Sequence, residues 1–163
     1  MTQKVILVVL LSVSLCCLAQ HLKCVSEAKY FIPNFMGNWF KATEYCNYLG
    51  MRLAVISTSE EQTNLTTMIA ATDKFSNDTT NIWIGGSDLA EEVNFYWLST
   101  GKRVGYSNWR KNQPDNDQNT DHCMEIRYNP VQGWNWHWND QDCKAIRYFV
   151  CENLHIGKKV VLF

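Results

Sequence analysis

Residues 113–123 read QPDNDQNTDHC, with three Asp, two Asn and two Gln in eleven positions and no Leu, Ile, Val or Phe. Two structures suit such a stretch. It can be a solvated loop whose Asp and Asn side chains bond their own backbone to make turns. It can also wrap around a hard cation, because calcium takes about 6–8 oxygen ligands from carboxylates, amide carbonyls and water. A second oxygen-rich run, HWNDQDC at 137–143, shifts the balance, since both runs end on a cysteine, Cys123 and Cys143. If those two cysteines are bonded, the loops are stapled side by side. Gln113, Asp115, Asp121, Asn139 and Asp140 then converge, offering three carboxylates and two amide carbonyls. With one backbone carbonyl they would supply about six oxygens, leaving room for another molecule on the ion. Three negative charges against a divalent cation leave such a site close to neutral.

The rest of the chain sets the frame for that site. Its 163 residues suffice for one domain with a core, and 46% of them are hydrophobic and 13% aromatic, a globular composition. The net charge of −1 and the absence of a long basic run exclude recognition of nucleic acid or of a membrane surface by bulk electrostatics. Residues 1–19 carry Lys4, an apolar stretch from 5 to 15 and a small-x-small pattern at 17–19, which predicts a secretory signal peptide. The apolar stretch is shorter than the about 20 residues of a spanning helix, and no other segment approaches that length, so no membrane span is expected.

Removing residues 1–19 leaves Cys24, Cys46, Cys123, Cys143 and Cys151, an odd number in an oxidising compartment. Any four of them allow three pairings, and the remaining one is either free or bridges to a second chain. A zinc set of His122, His137, Cys123 and Cys143 is a weaker reading, since secreted cysteines mostly oxidise and no C-x2-C pair is present. Asn64 and Asn77 begin the sequons NLT and NDT, candidates for N-glycosylation in a secreted protein. Asn77 is favoured, because Asn64 falls in a predicted helix.

The periodicity divides the chain into helices first and strands second. Asn38 is placed to cap a helix over WFKATEYCNYL with Gly50 as its stop, and LAVIS at 53–57 predicts a short strand. Ser59 opens a second helix, with Glu61 and Gln62 positioned for a capping box. From residue 81 onward, IWIGGSD, VNFYWLSTG, YSNW, CMEIRY, WNWHWND and RYFVCE read as short aromatic-rich strands. Between them the polar segment from about 110 to 123 is longer than a compact domain normally tolerates without a function.

Together these motifs resemble a C-type lectin-like domain. WIGG at 83–86, QPD at 113–115, WND at 138–140 and the cysteines at 46, 123, 143 and 151 stand in family order, covering roughly residues 28–153. The opening of the domain is most similar to small, single-domain secreted lectins of insects, mosquitoes in particular. The resemblance implies an α+β fold, two helices flanking a small antiparallel sheet with a long loop region above it. It implies the disulfides Cys46–Cys151 and Cys123–Cys143, a cis Gln113–Pro114 peptide, and calcium held by Gln113, Asp115, Asp121, Asn139 and Asp140, the same five residues contacting sugar. Residues 20–27, with Cys24, would precede the domain and residues 154–163 would follow it as a tail. Relatives of the longer type carry a cysteine pair where this chain has Cys24 alone, so Cys24 is free or ties two chains into a dimer.

QPD resembles galactose-type sites, which points to glycans ending in galactose or N-acetylgalactosamine on microbial or host surfaces. Galactose-type relatives also place a tryptophan two residues after the motif and glycines beyond, where this chain has Asn116, Asp117 and Gln118. That predicts a relaxed preference, with Trp134 or Trp136 as substitutes and Trp138 reserved for the core. Many relatives hold an auxiliary calcium. Asp88 and Glu92 match two of its ligands, but Asn116 and His122 stand where acids are expected. The alternative function is a protein-binding domain on the same fold with calcium as a structural clip. No nucleophile–base pair is visible and the carboxylates are committed to an ion, so an enzyme is not expected.

Overall fold

The first helix forms where the capping residue allows it. In a computed structural model that describes residues 28–154, α1 (Trp39–Tyr48) begins at Asn38, whose side chain accepts the Lys41 amide at 2.8 Å. Gly50 follows the helix at φ 69°, a left-handed conformation that costs glycine little. The second helix, α2 (Ser59–Ala70), is capped one residue earlier than its sequence suggests. Thr58, not Ser59, accepts the Glu61 amide, and the Glu61 carboxylate reaches back to the Ser57 amide at 2.8 Å. The box therefore closes around Thr58 and Glu61, with its return bond one residue outside the cap.

Among the described residues, nine strands form two sheets. In the smaller one, β1 (Tyr30–Phe31) and β2 (Arg52–Leu53) both pair antiparallel with β9 (Cys151–Glu152), which joins the two ends of the domain. The larger sheet contains β3 (Thr80–Ser87), β4 (Tyr96–Trp97), β5 (Lys102–Arg103), β6 (Asp121–Asn129) and β7 (Trp134–Asp142). Its order is β5-β4-β3-β6-β7, and β8 (Tyr148–Phe149) adds a short parallel pairing to β3. The expected strand at YSNW is absent. Trp109 makes one isolated bridge to Trp138, while the Tyr106 and Trp109 rings pack edge-on against the Trp138 indole at 5.5 and 5.8 Å. Aromatic content there signals burial, not strand pairing. The run LAVIS yields strand geometry only at its start; Ala54 continues outside the strands, donating to Val150 O and accepting from Gly85 N.

Each helix covers one apolar cluster. Leu65 and Ile69 of α2 pack with Ile56, Ile82, Met124 and Trp138, and Trp39, Ala42 and Cys46 of α1 pack with Trp83 and Phe149. Bridges join Cys46 to Cys151 and Cys123 to Cys143, the pairings the resemblance implies. The first closes a separation of 105 residues, large enough in the chain-entropy account for about 4–5 kcal/mol. Within WIGG, a Cβ on Gly86 would collide with the Met124 side chain, so glycine lets β3 lie against that core residue without displacing it. The hairpin of β6 and β7 carries the oxygen-rich residues, with the Cys123–Cys143 bridge fastening its open end beside them.

Candidate functional site

The strand register brings the two polar runs together. Asn139 and Asp140 of β7 stand opposite Glu125 and Met124 of β6, and Asp121 opens β6 beneath the loop that starts at Gln113. That loop is fastened to β7 by one side chain. Asp140 Oδ1 accepts the Asp115 amide at 3.1 Å and its Oδ2 accepts the Asn116 amide at 2.7 Å. The Gln113–Pro114 peptide is cis. Gln113 Nε2 donates to Asp115 Oδ2 at 3.0 Å, while Gln113 Oε1 is shut away from solvent with no hydrogen-bond partner among the described residues.

Beneath the loop, a network absent from the sequence reading fixes the remaining oxygens. Arg147 Nε donates to the fully buried Glu125 carboxylate at 3.0 Å, and Glu125 accepts Asn139 Nδ2 at 3.2 Å. Holding the amide nitrogen of Asn139 this way turns its carbonyl oxygen to the other side. Arg147 Nη2 also donates to Gln141 Oε1 at 3.0 Å, and Gln141 Nε2 donates to Asp121 Oδ2 at 3.1 Å. One guanidinium thus positions two of the five candidate ligands through intermediates. The signal for Glu125 was a lone acid in the apolar alternation of CMEIRY. Arg147 carried no such signal.

The electrostatics fit a site that lacks positive charge of its own. Burial pushes the Asp121 carboxyl above its ordinary value, and the negative charges of Asp140, Asp117 and Asp115 add to that. Burial also raises Asp140, against the opposing backbone bonds from Asn116 and Asp115. Burial raises Glu125 too, with the Arg147 charge pulling the other way. Asp115, Asp121 and Asp140 do not gather their oxygens as tightly as a second cluster does. Among the described residues, the acid and imidazole groups whose donor atoms all lie within 4.8 Å of one another are Asp88, Glu92 and His122. His122 Nδ1 lies 3.1 Å from Asp88 Oδ1 and 3.4 Å from Glu92 Oε2. Asn116 donates its amide to Glu92 Oε1 at 2.7 Å instead of turning a carbonyl oxygen toward the cluster.

Two expected sugar contacts are corrected. Trp134 is 3% exposed, held between the Arg110 and Arg127 guanidinium groups at 4.4 and 4.6 Å from its ring. Trp136 stacks on Phe75 with centroids 5.5 Å apart. At about 3.3 Å per strand residue they stand about 20 and 13 Å from Asp140 along β7, so neither can stack on a sugar there. Trp138 is core, donating its indole N–H to Gln62 Oε1 at 2.8 Å. The zinc set with two cysteines is also overturned, since Cys123 and Cys143 are bonded to each other. Asn77 is exposed between α2 and β3, whereas Asn64 is exposed in mid-helix with the Thr66 of its sequon buried. The signal peptide expected at 1–19, Cys24 and the tail beyond Leu154 lie outside the described residues.

The chain is similar to known proteins in sequence and in fold. Residues 36–153 match the family described as Lectin C-type domain. C-type lectin 16 of Aedes aegypti is 40% identical over 134 residues, covering 82% of this chain and 87% of the mosquito protein. The galactose-specific lectin nattectin of Thalassophryne nattereri is 33% identical over 114 residues, 70% of this chain and 66% of that one. Among solved structures, the C-type lectin CEL-I from Cucumaria echinata superposes with a TM-score of 0.63 at 26% identity, covering 77% of this chain and 90% of that one. With two helices, antiparallel sheets and the family match over most of its length, the chain belongs to the C-type lectin family.

Proposed function

We propose that this protein is a secreted, calcium-dependent lectin that binds glycans ending in galactose or N-acetylgalactosamine on microbial or host surfaces. The observation that carries this reading is Gln113 Oε1, a buried acceptor without a partner, beside a Gln113 amide already committed to Asp115. A buried carbonyl oxygen left bare is costly, and a cation between Gln113 and the Asp121–Asn139–Asp140 side would satisfy it. The donor set suits calcium: carboxylates from Asp115, Asp121 and Asp140, carbonyls from Gln113 and Asn139, and no nitrogen or sulfur. When bound, the ion would supply positive charge and open coordination positions for two vicinal hydroxyls.

The chain's own residues set the order of hydrogen bonds to those hydroxyls. Gln113 donates through its amide and Asp115 accepts through its carboxylate. The kinship to nattectin, a galactose-specific lectin by name, supports the galactose order. Loop residues 116–120 present no aromatic face and Trp134 and Trp136 lie elsewhere, which favours a relaxed preference. It also keeps a second reading in view, a protein-binding domain in which calcium only clips the loop. Export would follow from the leader at 1–19, with Asn77 favoured for the attached glycan and Cys24 available to link two chains.

A glycan array probed with calcium and again with a chelator tests the proposal. Binding to galactose-terminated glycans that disappears with chelator supports it. Silence across the array while calcium still binds would transfer the assignment to the protein-binding reading.

A further inference from the structure

We propose that Asp88, Glu92 and His122 form a separate cation site that takes zinc in preference to calcium. The side chains come from opposite sides of one strand pairing. Asp88 directly follows β3, its amide donates to His122 O at 3.2 Å, and His122 precedes Cys123, the partner of Ser87 across the ladder. The Cys123–Cys143 bridge adjoins His122, so both residues rest on rigid backbone.

Each carboxylate is anchored through one oxygen and presents the other. Asp88, 3% exposed, accepts the Val93 amide on Oδ2 at 2.9 Å and faces His122 with Oδ1. Glu92 accepts Asn116 Nδ2 on Oε1 at 2.7 Å and faces the same imidazole nitrogen with Oε2. Anchoring of this kind orients ligands around a metal. The separations of 3.1 and 3.4 Å from His122 Nδ1 bracket the edge of a tetrahedron with metal bonds of about 2.0–2.1 Å, roughly 3.3–3.4 Å. The Glu92 side chain is half exposed, which leaves one side open to water for a fourth position.

The donor chemistry argues against calcium here. The Asn116 amide presents its nitrogen to Glu92, and its carbonyl oxygen is taken by the Asp121 amide. Calcium takes about 6–8 oxygens, and this set offers two carboxylates and an imidazole. Imidazole with carboxylates suits zinc, which is content with three protein ligands and a water. No cysteine takes part, so an oxidising environment leaves the site intact.

The test is isothermal titration of zinc chloride into the whole folded protein held in saturating calcium, with cobalt absorption as a second readout. One zinc per chain, not displaced by calcium, is the expected result, with cobalt giving the visible bands of a four-coordinate nitrogen–oxygen site. His122→Asp should weaken zinc at least tenfold and raise the calcium stoichiometry by one. Glu92→Gln, a change at a half-exposed position, should weaken zinc without adding calcium and covers the case in which the first variant fails to fold. Zinc bound equally well by both variants would place it elsewhere and overturn the proposal. So would an unmodified protein that takes a second calcium and no zinc. The outcome does not depend on whether the Gln113 site binds sugar.

Discussion

The two candidate cation sites lie on neighbouring parts of one loop region and are built in opposite ways. Asp88, Glu92 and His122 gather within 4.8 Å because an imidazole sits between two acids. The Gln113 site has carboxylates that burial, and to a lesser degree neighbouring negative charge, pushes above their ordinary values at Asp121 and Asp140, and an amide oxygen without a partner among the described residues. Closeness of ligating groups is therefore a poor mark of an oxygen-only calcium site. Acids crowd only when something positive or hydrogen-donating already separates them. A site awaiting a divalent ion is better recognised by an unsatisfied buried acceptor, and a site for a nitrogen-accepting ion by an imidazole with anchored carboxylates.

The largest expected effect separates the sites outright. Asp140→Ala removes a proposed ligand and both backbone bonds that fasten the loop at Asp115 and Asn116. Retention on galactose-agarose in calcium should fall by at least a hundredfold, while zinc binding at His122 falls far less, through the looser Asn116 that anchors Glu92. Equal loss at both sites would mean that the loop is one cooperative unit and that the two sites are not independent.

A smaller effect is expected from the network beneath. Arg147→Met leaves every proposed ligand in place but frees Glu125, Gln141 and through them Asn139 and Asp121. Loss of such outer partners typically costs about 10–100-fold in metal affinity, so calcium titration should show a weakening in that range. The buried Glu125 carboxylate also loses its counter-charge, and the protein should lose about 3 kcal/mol of stability in urea. Unchanged calcium affinity in a destabilised variant would reduce Arg147 to a purely structural role.

How far these features were legible in the sequence depended on whether local chemistry or long-range packing set them. Asn38 and Gly50 declared the first helix because capping and left-handed turns act on nearby backbone. The cap of the second helix was misplaced by one residue because Thr58 and Ser59 are both good caps, and the Glu61 amide selects only one of them. The five candidate ligands stood out because two polar runs each ended on a cysteine. The support of Asn139 by Glu125 and Arg147 did not, since it joins residues 14 and 22 apart through a strand register that the sequence leaves open. Trp134 and Trp136 were misread for the same reason. A tryptophan in an alternating run near a site looks available until the strand's length carries it about 13–20 Å away.

The smallest expected effect concerns protons and carries a definite sign. Burial raises the folded-state values of Asp121 and Asp140 above the ordinary 3.8, so the calcium-free folded chain holds protons more readily than the unfolded chain. Where the unfolded chain binds fewer protons, stability falls as pH rises. These two groups therefore make the calcium-free protein less stable on going from acid pH up through their folded-state values toward neutrality. Calcium reverses the balance, because it requires both carboxylates charged and offsets their repulsion. The rise in Tm produced by saturating calcium should consequently be larger at pH 7 than at pH 5. Glu125, also raised, is present with and without calcium and cancels to first order in that difference. Scanning calorimetry at the two pH values, with chelator and with calcium, measures the increment directly. An increment that is equal at both, or larger at pH 5, would show that Asp121 and Asp140 are not what the ion neutralises. The oxygen-only site would then have to be rebuilt around Gln113, Asp115 and Asn139 alone.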